Sequence, residues 1–249
     1  MTKSSHATTQ SVNTSDEILN TETLCYREGV TDLSDAPVNR LERRKQRTRA
    51  ALIRAAQAFI AEGKVNVPVL EITQAADVGM GSFYNHFESK EQLFEAAVAE
   101  VLEYHGALLD HLTSSIDDPA ETFACSFRLT GRLFRRRPQE SRILLANGMA
   151  LLSSDLGLAP RALRDIEAAV SAGRFTVDDP ELALSVAGGA LLGLGNLLRS
   201  QPDRDDAAAA DTVTEDVLRL FGLPADEARE ICRRPLPDLG SSQVPDSAA

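Results

Sequence analysis

The side chains best suited to chemistry in this chain lie in one short segment, from Gly81 to Lys90. It holds a phenol at Tyr84, an imidazole at His86 and the Lys90 ammonium, set among small residues and phenylalanines. Each of these three groups can donate hydrogen bonds, although His86 read alone is as likely to be a surface histidine or a satisfied core histidine. The second half of the chain has no convergent catalytic set.

Two short helices are predicted to position this segment. The spacing of one helix face is followed by Ile72, Ala75 and Ala76. Gly79 is the type of residue that a tight turn between helices needs. We expect one helix over about residues 68–76 and another over about 79–87. Two helices joined by a short turn outline a helix-turn-helix, whose second helix can enter the DNA major groove.

The charge distribution favours the same segment. The chain has a net charge of −11, but residues 40–90 carry nine basic and five acidic groups. Residues 1–36, 91–200 and 201–249 are all net acidic. Within the basic segment, the run Arg40–Arg49 has two interpretations, a solvated helix face or a basic arm that lies along a DNA backbone.

Several other protein classes are disfavoured. The cysteines Cys25, Cys125 and Cys232 are far apart and form no CxxC pair, which favours free thiols in a reducing cytosol. The four histidines do not cluster with them, so we expect no metal and no cofactor. No run of about 18 uncharged apolar residues and no secretory signal is apparent, so we expect a cytoplasmic protein without a membrane span.

The apolar periodicity predicts an all-α fold of about nine to ten helices. Residues 1–39 and 234–249 are rich in polar residues or proline and are predicted to be disordered tails. We expect capping signals at Ser89 with Gln92, and at Asp179 before Pro180. The later helices are predicted to begin near Pro160, Pro180 and Thr212, with a polar linker over residues 201–211.

The N-terminal part resembles the DNA-binding domain of TetR-family transcriptional regulators. The resemblance rests on Phe59–Gly63, Ile72–Ala76 and, most specifically, Gly81–Leu93, and it covers about residues 45–105. It implies that Tyr84, His86 and Lys90 touch DNA phosphates, that Phe83 and Phe87 belong to the core, and that the helix-turn-helix occupies about residues 68–87. The residues expected to bind DNA are Arg44, Lys45, Arg47, Thr48, Pro68, Gly79, Met80, Ser82, Tyr84, Asn85, His86 and Lys90.

Two positions depart from the family pattern. Gly79-Met80 stands where many relatives have Ser-Lys, so a cationic contact is lost and Met80 offers only an apolar contact, for example to a thymine methyl. Val67 stands where relatives often have a capping threonine, and Asn66 is the candidate substitute. Losing such a cap costs about 1 kcal/mol.

The second half resembles the family only in its helix order. The resemblance implies a ligand-binding and dimerisation domain over residues 106–233. No cluster of buried charges is evident, so we expect a mostly apolar small ligand, lipid-like or aromatic. Candidate lining residues are Phe123, Phe127, Ile143, Asn147, Met149, Ile166, Val170 and Phe175.

The nearly all-apolar helix at about 179–199 favours an interface or a buried position. Its glycines, such as Gly188 and Gly195, are interpreted as close helix packing because no strand precedes them, as a phosphate loop requires. With the helix at about 212–222 it is predicted to form a two-fold homodimer, which suits a palindromic DNA operator. The resemblance thus implies a ligand-responsive DNA-binding repressor. The alternatives are a binding module that does not read DNA, or an α-helical enzyme.

Overall fold

The computed structural model describes residues 35–152 and 155–238, apart from the side chains of residues 35–39, 149 and 151. Every regular element in these residues is an α-helix, which confirms the predicted fold class. A compact unit begins at Leu41 and holds the cores, cavities and surfaces described below. The helices are α1 (Asp35–Ala61), α2 (Val69–Ala75), α3 (Met80–Tyr84), α4 (Lys90–Thr113), α5 (Pro119–Arg136), α6 (Pro138–Leu151), α7 (Leu158–Ser171), α8 (Pro180–Ser200), α9 (Asp206–Leu220) and α10 (Ala225–Arg233).

A first core lies where α1, α2, α3 and the start of α4 meet; these elements, from residue 41 on, are called the head. Leu52 and Ile53 of α1, Ile72 of α2, Phe83 of α3 and Leu93 of α4 are all fully buried there. Each residue comes from the apolar face of its own helix, so the head forms by closing four amphipathic stripes on one another.

A second core fills the remaining helices, α4 to α10, which are called the body. In its largest cluster, the rings of Phe123, Phe175 and Phe221 meet with centroids 5.2–5.7 Å apart, at tilted or edge-on angles. The helix α5 packs against α4 and α6 to α10. Two fully or nearly buried arginines hold the last helices to it: Arg128 and Arg132 both bind Asp211, at 2.7 and 2.8 Å.

The predicted caps are present. Gln92 donates its backbone N–H to Ser89 Oγ at 3.1 Å, and its side chain accepts from the Glu88 N–H at 2.7 Å. Leu182 donates its N–H to Asp179 Oδ1 at 3.0 Å at the start of α8. These side chains satisfy donors that the first turn of a helix leaves without a partner.

Several predicted boundaries are wrong. Helix α1 begins at Asp35, inside the predicted tail, because Pro37 falls in the first turn, where its missing N–H costs nothing. Helix α7 begins at Leu158, two residues before the predicted Pro160. Helix α9 begins at Asp206, within the predicted linker, because Asp205 caps it and alanine is the strongest helix former.

The predicted C-terminal tail is also partly ordered. The Arg234 carbonyl accepts a hydrogen bond from Arg128 at 3.0 Å, and Leu236 packs against the buried cluster that contains Leu108 and Leu129. A buried guanidinium that needs acceptors therefore fixes residues 234–238 against the body. The predicted disorder of residues 1–34 and 239–249 lies outside the described residues.

Among the described helices, α8 alone is long and apolar enough to cross a membrane, judged by length and composition. Ala187, Leu194 and Leu198 on one of its faces are buried in the body. The core helix of a protein that does not span a membrane can be equally long and apolar. Only 28% of the apolar stretch of α8 is buried, however. A second apolar face of the helix is therefore exposed to solvent, and it includes Leu182 and Val186.

Candidate nucleic-acid interface and ligand cavity

The helix-turn-helix consists of α2 and the five-residue α3, which is shorter than the predicted helix over residues 79–87. The turn between them does not use Gly79 as predicted. Asp77 adopts the left-handed conformation, with φ 54°, and Gly79 is extended, with φ −69° and ψ 147°. Aspartate is one of the few residues that tolerate this region, because its short polar side chain can bond locally.

The two faces of α3 separate as predicted into core and surface. Phe83 and Phe87 are buried, and the Tyr84 ring lies edge-on to Phe83 with centroids 5.1 Å apart. Tyr84 is 62% exposed and Met80 is 42% exposed. Gly79 and Asn85 are also exposed, while Ser82 and His86 are half-buried. The buried pair thus fixes the helix, and the polar groups point away from the core.

The residues at the start of α2 and α4 adjoin this surface. Pro68 is exposed and is the N-cap of α2, which has no side-chain cap, as the departure at Val67 predicted. Asn66 does not replace the cap; its Oδ1 accepts instead from Lys90 Nζ at 3.4 Å. The contact links the Lys90 ammonium to the loop before the helix-turn-helix.

The basic run of α1 forms an exposed helical face. Arg44, Lys45 and Arg47 are exposed, and the Thr48 hydroxyl donates to the Arg44 carbonyl at 3.0 Å. Arg49 was not predicted as a site residue, yet its guanidinium lies 5.4 Å from the centroid of the Phe87 ring. That cation–π contact places α1 beside the segment after α3. Its sequence signal was only a cation within a longer basic run.

A cavity of about 90 Å³ lies in the body. Of the predicted lining residues, only Phe123 and Phe127 border it. Ile143 lies in the head core, Ile166, Val170 and Phe175 lie in the body core, Asn147 lines a groove beside α4, and the Met149 side chain lies outside the described residues. Periodicity identifies a buried face, but it does not say which part of that face borders empty space.

A second cavity of about 70 Å³ adjoins the first, and both are lined by Phe123, Phe127, Thr130, Leu158, Ala162 and Leu191. The second also has charged lining residues, Asp110, Arg161 and Asp165. The first cavity has no charged residue in its described lining, as expected, whereas the charged residues beside the second were not expected. These residues are far apart in the sequence, on α4 and α7, and only their packing brings them together.

The charged residues form one ion-pair network. Arg161 Nε donates to Asp110 Oδ2 at 2.7 Å, and Arg164 Nη2 donates to Asp110 Oδ1 at 2.9 Å. Burial raises the pKa of Asp110, but these hydrogen bonds and charges outweigh it and hold that pKa below its usual value. Burial also raises the pKa of Asp165, and there Arg164 offsets it only in part. The two carboxylates thus differ in how readily they accept a proton.

Two glycines allow the network to lie close to α4. A Cβ on Gly106 would come within 2.6–2.8 Å of the Arg161 guanidinium, so a side chain at this position would displace that flexible group. Gly157, with φ 79°, precedes α7, and its Cβ would lie 2.5 Å from Leu102 Cβ. Position 157 requires glycine, because of both its positive φ and its close approach to Leu102.

Comparison with known proteins matches both halves of the chain. Residues 52–97 match the family described as "Bacterial regulatory proteins, tetR family". Residues 118–234 match "Tetracyclin repressor-like, C-terminal domain". Together the two matches cover the helix-turn-helix, most of the residues that line the two cavities, and the last helices.

Similar curated proteins are transcriptional regulators. The regulator TtgR of Pseudomonas putida is 31% identical over 108 residues, which are 42% of this chain and 50% of TtgR. The chain thus spans half the length of that relative. The probable acrEF/envCD operon repressor of Escherichia coli strain K12 is 25% identical over 193 residues, 70% of this chain and 87% of the repressor.

Among known structures, RolR matches with and without its ligand. RolR without ligand is 36% identical, with a TM-score of 0.63, over 76% of this chain and 98% of RolR. The complex of RolR with resorcinol is 35% identical, with a TM-score of 0.55, over 79% of this chain and 98% of RolR. The similarity therefore extends over nearly the whole of that regulator.

Proposed function

The chain belongs to the TetR family of bacterial regulators, and on that premise we propose that it is a dimeric repressor which a small ligand releases from DNA. The observation that carries the DNA-binding part is the division of α3 into a buried face, Phe83 with Phe87 following it, and an exposed face with Met80 and Tyr84. A helix held this way can enter a major groove without unfolding the head. The protein acts in the cytoplasm, where its DNA lies.

The phosphate and base contacts are assigned to different residues. Tyr84, His86 and Lys90, with the basic residues of α1, bind the backbone and set the register of the head. Met80, Ser82 and Asn85 face base edges, where Met80 fits a thymine methyl. Because Gly79-Met80 supplies no cation, sequence preference rests on Asn85 and Ser82 more than in relatives with Ser-Lys there.

Dimer formation is proposed through α8 and α9. Leu182, Val186 and Leu197 of α8 are exposed on one face, and a Cβ on Gly189 or Gly193 would meet nothing within 4 Å. A helix that leaves such a stripe open gains by packing against a second copy. A two-fold pair would present two heads to half-sites about one DNA turn apart, as a palindromic operator requires.

Replacing Lys90 by glutamine is expected to weaken DNA binding about three- to tenfold and to lower the dependence of affinity on salt by about one unit of slope, since one phosphate contact is lost. Tyr84→Phe, which removes a single hydrogen bond, is expected to weaken binding by a similar factor. Gel-shift titration against the DNA upstream of the protein's own coding sequence, at several salt concentrations, measures both effects.

Lys64→Gln is the matched control, because Lys64 is exposed and already paired with Glu62 at 2.8 Å. It should leave affinity and salt slope unchanged. If the wild-type protein retards no DNA, even after random-site selection, the alternative of a binding module that does not read DNA replaces the proposal.

For the effector, we propose a small hydroxylated aromatic compound in the paired cavities. The apolar cavity, lined by Phe123 and Phe127, suits a ring, and the adjoining charged end offers both donors and acceptors to hydroxyl groups. RolR, similar over nearly all its length, binds resorcinol in its crystal structure. The combined volume is small, which disfavours a long acyl chain.

Asp165→Asn is expected to weaken the binding of such a compound about tenfold or more while leaving protein stability nearly unchanged. The carboxylate would accept a hydroxyl hydrogen bond, worth about 1.5–3 kcal/mol for a charged acceptor. Because burial raises the pKa of Asp165, its ionised form contributes little to folding at neutral pH. Calorimetric titration with resorcinol as the probe, alongside a melting curve, measures the two quantities.

Asp216→Asn is the control, since Asp216 is an exposed aspartate of α9 outside both cavities. It should bind resorcinol as the wild type does. Binding that is equally strong in Asp165→Asn would contradict a role for the charged end. No binding of resorcinol, catechol or phenol to the wild type would reject the aromatic class.

A further inference from the structure

A cleft of about 210 Å³ lies between α5, α6 and α8, on the side of α8 that faces α6. Three of its lining residues are arginines, Arg135, Arg142 and Arg199, and it is called the arginine cleft. A second hollow of about 330 Å³ shares Arg142 and Arg199 with it and reaches the end of α1. Phe134 lines both the arginine cleft and the first of the two proposed effector cavities, whereas the second hollow shares no described lining residue with either cavity.

The charge of the arginine cleft is uncompensated. Arg142 forms no ion pair within the described residues, and Arg199 only donates to Asn196 Oδ1 at 3.1 Å. Arg135 donates to two backbone carbonyls, those of Gln201 at 2.7 Å and Arg204 at 3.1 Å. No described carboxylate lines the cleft itself, and Glu62, which lines the adjoining hollow, is paired with Lys64 at 2.8 Å.

Arg142 and Arg199 are exposed and share the cleft without an acidic residue in its described lining. The other body arginines that approach a cavity or the core are paired: Arg128 and Arg132 with Asp211, Arg161 with Asp110, and Arg174 with Asp118. In a domain whose sequence is net acidic, guanidinium groups gathered in a concave site without acids repel one another. A concave site also focuses their field, so an anion bound there would relieve the repulsion.

The residues that line the cleft indicate which class of anion it can bind. The planar fork of arginine matches phosphate bidentately, and several forks suit a group that carries more than one negative charge. Apolar side chains of Phe134, Leu145 and Leu198 form the rest of the wall. A Cβ on Gly195 would lie 2.8 Å from Leu145 Cδ2, so the glycine allows α6 and α8 to pack closely beneath the cleft. A phosphate with an organic part satisfies both surfaces.

We propose that the arginine cleft binds a phosphate-bearing small molecule, at a site separate from the aromatic effector. Arg142 and Arg199 hold the phosphate, and the apolar wall contacts the organic part. Since the adjoining hollow reaches Ala61 and Gly63 at the end of α1, occupancy ties α6 and α8 to the head. The bound phosphate would then change the affinity for DNA. Only this last consequence rests on the proposed function.

Calorimetric titration of the full chain, without DNA and at fixed ionic strength, tests the site with inorganic phosphate, pyrophosphate and ADP as probes. The wild type is expected to bind at least one of them, more tightly when an organic part is present. R142Q/R199Q is expected to weaken that binding at least about tenfold, since two charge-assisted contacts are lost. Melting curves of the variant check that it is folded.

R136Q/R233Q is the charge-matched control, because both arginines are exposed and line neither hollow. It should bind the probes as the wild type does. Equal binding by R142Q/R199Q and by the control, or no binding to the wild type, would overturn the proposal. The titration needs no DNA, so its outcome is independent of whether the protein is a repressor.

A second experiment, with DNA, distinguishes binding of a phosphate-bearing small molecule from binding of the DNA backbone. If R142Q/R199Q binds no probe differently but lowers DNA affinity and flattens its salt dependence, the cleft contacts DNA phosphates instead and the proposal is wrong. If the variant binds DNA as the wild type does and the probes less tightly, the site takes the small molecule.

Discussion

Replacing Phe83 by alanine is expected to destabilise the head by about 3–5 kcal/mol, the usual range for a fully buried phenylalanine. Phe83 is fully buried, its ring faces Phe87 with centroids 6.1 Å apart, and it is the one buried residue of α3. A helix of five residues has almost no stability of its own. Losing this anchor should therefore release α3, and specific DNA binding should disappear with it.

Urea unfolding followed by circular dichroism, together with the gel-shift titration, measures the two consequences. Phe83→Leu keeps an apolar side chain and should recover most of the loss. Tyr84→Phe changes the neighbouring exposed position and should affect DNA affinity but not the unfolding midpoint. A Phe83→Ala protein with wild-type stability and DNA affinity would mean that α3 is held by other contacts.

Lowering the pH from 6.5 to about 4.5 is expected to remove most of about 3 kcal/mol of stability through His105. Burial, helped by the charge of Arg137, lowers the pKa of His105 from its ordinary 6.5 to about 4. The unfolded chain therefore takes up the proton first as the pH falls. The stabilisation is complete above pH 6.5 and is lost progressively down to pH 4, at about 1.4 kcal/mol per pH unit.

The hydrogen bonds around His105 indicate which ring nitrogen carries a proton, Nε2. The Thr130 hydroxyl donates its single proton to the Ser126 carbonyl at 2.9 Å. His105 Nε2 lies 3.3 Å from Thr130 Oγ1 and must therefore donate to that hydroxyl oxygen. His105→Gln keeps a donor without a titrating group, and its stability should vary little between pH 6.5 and 4.5. Carboxylates that are paired in the folded protein take up protons at a lower pH than this range. For example, a hydrogen bond from Arg161 holds the pKa of Glu103 below its ordinary 4.5.

Unfolding curves at half-unit pH steps give the comparison, with the difference between wild type and His105→Gln isolating the histidine. A difference that stays constant from pH 7 to pH 4.5 would contradict a neutral, buried His105. Because Thr130 lines both effector cavities, the same variant also tests whether the histidine supports the cavity wall.

Local patterns in the sequence predicted the helices and the surface for DNA. The apolar spacing, the caps at Ser89 and Asp179, and the separation of Phe83 from Tyr84 all depend on residues within two helical turns of one another. Such contacts are set by helix geometry alone. Where the prediction failed locally, a competing local preference won, as with Asp77 in the turn and the alanines that begin α9.

Contacts between distant residues decided the rest. The charged end of the proposed effector cavity joins Asp110 of α4 to Arg161 and Asp165 of α7, and the arginine cleft joins Arg142 of α6 to Arg199 of α8. No spacing within one helix encodes these meetings, because they depend on how the helices cross. The sequence by itself determined which faces are buried and which family the head resembles. Only the tertiary structure decided where charge lies beside empty space, since cavities are what packing leaves unfilled.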